Sequence, residues 1–135
     1  MKGSGIWIDS KKAWIMRLDG EKEHFLIETS GVEDTHPGGG YGGEVPYGPQ
    51  IASPENKILF RRDLILKKFF DRVIDKVGKP DRILIEGPAE AKLGLFKRVE
   101  DNHELNKIEV EVRAADKKTE NQFKASVRDY FNSKK

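Results

Sequence analysis

The 135-residue sequence contains no cysteine, which excludes a disulfide framework, a thiolate metal site and a cysteine nucleophile, and fits a reducing compartment. It also lacks a long apolar run. Ile6-Trp7-Ile8 near the N-terminus is far too short for a signal peptide or a membrane span, so a cytoplasmic location with no membrane partner is expected. A surplus of one charge is missing as well: 25 Lys and Arg face 23 Asp and Glu, a formal net charge of +2, so bulk charge alone does not argue for nucleic acid. No phosphate-binding Walker sequence or nucleophile elbow occurs. His24, His36 and His103 have no metal-ligand spacing, and neither a metal nor a cofactor is expected.

What is present suffices for one core. Hydrophobic residues make up 36% of the chain, enough Ile, Leu, Val and Phe to leave the disordered class, and a single domain over residues 1–135 is expected. From Gly5 to Leu18 two short apolar stretches flank a polar Asp9-Ser10-Lys11-Lys12, which predicts strand, turn, strand. Asp19-Gly20 is a hairpin turn signal, and a third strand is expected around Phe25-Leu26-Ile27. Residues 31–53, rich in glycine and proline, predict a long flexible loop.

Ser53-Pro54-Glu55 is a helix start, and helical spacing of Leu59, Leu66, Phe69, Phe70, Val73 and Val77 carries the helix to Gly78-Lys79-Pro80. A buried strand over 81–86, a helix from Ala89 to about Glu100 and an alternating strand over 108–114 follow. Thr119-Glu120-Asn121-Gln122 has capping-box form and opens a last amphipathic helix through Phe123, Val127, Tyr130 and Phe131. The order βββαβαβα predicts an α/β fold with a five-stranded mixed sheet of ribonuclease H-like type, its helices packed on the sheet.

Two segments sit where a known family carries its motifs. One is the loop His36-Pro37-Gly38-Gly39-Gly40-Tyr41-Gly42-Gly43, between the third strand and the first helix. The other is Ile83-Leu84-Ile85-Glu86-Gly87-Pro88-Ala89-Glu90-Ala91-Lys92, a strand and glycine turn leading to a lysine. Together they resemble the central domain of the archaeal and eukaryotic class I peptide release factors, of Pelota, and of their short stand-alone relatives. The resemblance implies a ribonuclease H-like fold and a glycine loop that, in the family, presents a Gly-Gly-Gln tripeptide to the peptidyl-transferase centre. Here Tyr41 follows Gly39-Gly40 and Glu44 follows Gly42-Gly43. With no glutamine after either pair, the expectation is a non-catalytic protein of the translation-machinery type that binds ribosomal RNA or transfer RNA.

The residues proposed to hold RNA fall into three groups. His36, Gly38, Gly39, Gly40, Tyr41, Gly42 and Gly43 form the loop, whose backbone N–H groups can meet phosphate and whose tyrosine can stack on a base for about 1–3 kcal/mol. Lys57, Arg61, Arg62 and Lys68, with Lys67 and Arg72, form a basic face on the first helix. Lys92 adds charge beside the Gly87-Pro88 turn, where a helix start exposes N–H groups. Each has a plainer meaning: a ligand-free loop, a solvated helix face with intrahelical ion pairs to Asp63, Asp71 and Asp75, and a structural turn.

Two other functions stay open on the residues alone. A metal-dependent nuclease would place Asp9 and Glu86 at strand ends, with Asp116 or Asp63 as a third carboxylate, around two divalent ions about 3.5–4 Å apart. An interaction module would bind another protein through the loop. The oligomeric state does not follow from the sequence.

Overall fold

The computed structural model describes residues 2–31 and 54–133, with side chains of the first helix described from Phe60 onward. The elements are β1 (Lys2–Ile8), β2 (Lys12–Asp19), β3 (Lys22–Thr29), α1 (Pro54–Val77), β4 (Arg82–Gly87), α2 (Ala91–Glu100), β5 (Glu109–Ala114) and α3 (Glu120–Ser133). The sheet order is β3-β2-β1-β4-β5, with the first three strands antiparallel and β1, β4 and β5 parallel. This five-stranded mixed sheet is the ribonuclease H-like arrangement expected from the element order. No helix is long and apolar enough to cross a membrane among the described residues.

Strand alternation divides the core in two. Ile6, Ile8, Ile15, Ile83 and Ile85 point to one face and meet Phe69, Phe70, Val73 and Val77 of α1 and Leu95 and Val99 of α2. Trp7, Trp14, Met16 and Leu84 point to the other face and meet Phe123, Val127, Tyr130 and Phe131 of α3. The capping box forms as expected: Thr119 N–H donates to Gln122 Oε1 at 3.0 Å, and Gln122 N–H to Thr119 Oγ1 at 3.1 Å.

β1 begins earlier than its apolar run suggests, because Gly3-Ser4-Gly5 is part of the strand. A Cβ at Gly3 would lie 2.6 Å from the Phe131 ring and one at Gly5 2.6 Å from Val127. The two glycines are what lets α3 settle against the sheet, a demand that comes from residues more than a hundred positions away.

The sheet has a clear polarity. β1, β4 and β5 all end at one edge, where the β1–β2 turn and the start of α2 also lie. At the opposite edge α1 ends over β1, with Ser4 Oγ donating to the Val77 carbonyl at 2.9 Å.

Candidate nucleic-acid interface

The basic face of α1 divides at Lys68. Before it, Arg61, Arg62, Lys67 and Lys68 are exposed, and among the described residues none of them has a recorded ion pair. Phe60 and Leu64, one turn apart on the same stretch, are 65% and 42% exposed. After it, Asp71, Arg72 and Lys76 are committed to ion pairs. Arg72 Nε donates to Glu28 at 2.8 Å and its Nη2 to the Thr29 carbonyl at 2.8 Å, while Lys76 Nζ lies 2.8 Å from the same carboxylate. Burial pushes the Glu28 carboxyl up, and the bonds from Lys76 and Arg72 outweigh that, leaving it below the ordinary glutamate range.

Asp71 receives Arg98 of α2 through both oxygens, at 2.8 and 2.9 Å. The recorded pairs of Asp71, Arg72 and Lys76 therefore run from α1 to β3 and α2. The intrahelical pairing expected from their spacing is not what forms, because the packed half of α1 brings strand and helix partners closer than its own next turn. Arg72 is thereby withdrawn from the set of cations available to an RNA. Lys57 and His36, Gly38, Gly39, Gly40, Tyr41, Gly42 and Gly43 lie outside the residues whose side chains or placement are described.

Lys92 stands in the first turn of α2, and its ammonium donates back to the Ala89 carbonyl. It thus closes the Gly87-Pro88-Ala89 turn instead of standing free beside it. Gly87 is required there for close approach, since a Cβ would lie 2.1 Å from the Ile8 carbonyl oxygen.

Of the carboxylates of the nuclease reading, Asp9 and Glu86 are engaged by other groups. Asp9 Oδ1 accepts from the backbone N–H of Lys11 and Lys12, both at 2.8 Å, which makes it the cap of the β1–β2 turn. Glu86 is 1% exposed, and its two oxygens are held by Arg113 Nε at 3.0 Å and Lys118 Nζ at 2.8 Å. Asp116 is exposed, and its backbone carbonyl accepts from Trp7 Nε1 at 3.2 Å. Asp63 is an exposed residue of the first half of α1. Among the described residues, no group of three or more His, Asp or Glu side chains could hold a metal ion.

Arg113 and Lys118 are partners that sequence reasoning missed. They lie 27 and 32 positions from Glu86, and only the parallel register that sets Glu86 against Arg113 brings them together. Lys12 joins the same edge, its ammonium 4.9 Å from the Trp14 ring centroid and 5.8 Å from that of Trp7.

Neither a family profile nor a curated protein sequence matches the chain. Among solved structures, it is similar to an archaeal translation termination factor, with a TM-score of 0.52 and 16% identity over 93% of this chain and 33% of that one. A second structure, an archaeal protein, overlaps with a TM-score of 0.48 and 18% identity over 93% and 32%. A Ppx/GppA phosphatase of Aquifex aeolicus overlaps more loosely, at 0.37 and 13% over 86% and 36%. The chain spans about a third of the length of each. The likeness to the termination factor is one of fold, and it agrees with the resemblance carried by the two sequence motifs.

Proposed function

We propose that this chain is a non-catalytic component of the translation machinery that binds ribosomal RNA or transfer RNA along the first half of α1. The observation that carries the reading is the contrast within that helix. Arg61, Arg62, Lys67 and Lys68 remain exposed without a recorded ion pair, whereas the cations further along are bound to carboxylates. Exposed cations with no carboxylate partner are available to neutralise phosphates, with release of condensed counterions as the driving force. The fold likeness to a termination factor supports the choice of RNA as the polyanion. On the same reading, the glycines and Tyr41 of residues 36–43, which precede this helix in the sequence, add backbone N–H groups and a stacking ring.

Peptide release is not proposed, since no glutamine follows either glycine pair. The nuclease reading has no observation in its favour: Asp9 caps a turn and Glu86 is held by two cations. Sedimentation of cell extract through sucrose gradients tests the proposal. Co-migration with ribosomal particles or transfer RNA at low salt, reduced at high salt, is expected. A protein confined to the top fractions at both salt concentrations contradicts it.

A further inference from the structure

The opposite edge of the sheet holds a cavity of about 110 Å³ that plays no part in the function proposed above. One water needs roughly 10–15 Å³ of such space, so this open cleft holds several. Two rungs of the sheet line it. Ser4, Arg17 and His24 are in register across β1, β2 and β3, and Lys2 and Asp19, two positions along, form the next pair on the same face. Lys79, from the connection between α1 and β4, closes the side.

α1 stops over Ser4, and the chain turns away at Gly78, whose φ is +75°. That leaves Arg17 and His24 exposed at the mouth instead of covered by another turn of helix.

The charge around this volume is unbalanced. Lys2, Arg17 and Lys79 are three cations facing one carboxylate, Asp19. The Arg17 guanidinium also lies against the end of α1, where a Cβ at Gly78 would come within 3.1 Å of it. It therefore offsets the helix's carbonyl end, which is worth about half a negative charge. At the rim, Asp81 accepts the backbone N–H of Lys2 at 2.9 Å, and Glu104 lies 3.8 Å from Lys79 with both side chains mostly exposed. Among the lining residues three positive charges thus meet one carboxylate and the helix end, while the rim adds the carboxylates of Asp81 and Glu104. A guanidinium, an imidazole and two ammonium groups from four separate segments around one small polar volume match the donor set that an oxyanion needs.

We propose that this cavity is a binding site for a phosphate group, held by Arg17 and His24 with Lys2 and Lys79 completing its charge. The phosphate can come from the free ion or from the 5′ end of an oligonucleotide, because both present the same oxygens. Amide chemical shifts of the full chain, titrated at constant ionic strength, test the site and its source. Sodium phosphate is expected to give saturable shifts at Gly3, Ser4, Arg17, His24 and Gly78, weakened about tenfold in Arg17→Gln.

Lys79→Gln, at an exposed position, should weaken the same shifts without touching the fold and keeps the test valid if Arg17→Gln disturbs α1. Saturation by a 5′-phosphorylated trinucleotide but not its 5′-hydroxyl form assigns the terminal phosphate as the source, and saturation by inorganic phosphate alone assigns the free ion. No saturable shift with either, or equal shifts in wild type and Lys79→Gln, overturns the proposal. Because the site lies away from Arg61 and Arg62, their replacement by alanine leaves these shifts unchanged whether or not RNA binds α1.

Discussion

The two halves of α1 are one helix with one hydrophobic period, yet they do opposite things. From Phe69 to Val77 the apolar stripe is buried against the sheet, and its charges reach across to Glu28 and Arg98. From Phe60 to Lys68 only Leu66 continues that stripe against the core, Phe60 and Leu64 stand exposed on the opposite face, and Arg61, Arg62, Lys67 and Lys68 form no ion pair among the described residues. The difference teaches that packing decides whether a helix's charges are structural. Where a strand and a neighbouring helix bring carboxylates close, they capture the cations, and where no carboxylate comes close, the cations stay available to an external polyanion.

The contrast can be broken most forcefully through the core. Phe69→Ala should destabilise the fold by about 3–5 kcal/mol, by loss of transfer energy and a residual cavity. Phe60→Ala should change stability by no more than about 0.5 kcal/mol. Urea unfolding followed by tryptophan fluorescence measures both, and equal costs would erase the distinction between the halves.

Glu86→Gln tests what a committed cation is worth, since it leaves Arg113 and Lys118 facing a neutral amide at the buried end of β4. The expected loss is about 1–3 kcal/mol, less than for a fully enclosed pair because both cations are partly exposed. A smaller effect is expected at Glu28. Its carboxyl is lowered in the folded chain, so the stability it adds is present above the unfolded value of about 4.3 and is lost as pH falls through the lower folded value. The stability difference between wild type and Glu28→Gln should therefore shrink as pH drops below about 4.3. A difference that grows with acid would contradict the ion pairing. Smallest of all, Arg61→Ala, Arg62→Ala and Lys68→Ala together should move the unfolding midpoint by less than about 0.5 kcal/mol, measured by the same urea titration.

Much of this architecture was legible from local signals. The Thr119–Gln122 capping box, the Asp19-Gly20 turn and the stop of α1 at Gly78 are properties of a few adjacent residues, and each forms where the sequence places it. What escaped was set by distant contacts. Glycine is a poor strand former, and only the α3 side chains Phe131 and Val127 explain the place of Gly3 and Gly5 inside a strand.

The basic face of α1 read as continuous because Glu28, 44 positions before Arg72, is invisible to a helical spacing rule. Glu86 read as a candidate acid for the same reason, its two cations lying on β5 and just beyond it. The cavity under the end of α1 combines four segments and has no motif at all.

The central claim is that the first half of α1 holds RNA, and its most direct test is the salt dependence of binding to a single-stranded ribosomal or transfer RNA fragment, followed by fluorescence anisotropy. Wild type should show a linear fall of log affinity with log salt, and the Arg61, Arg62 and Lys68 triple alanine variant should bind more weakly, with that slope reduced by about 2. An unchanged slope and affinity in the variant would contradict the account.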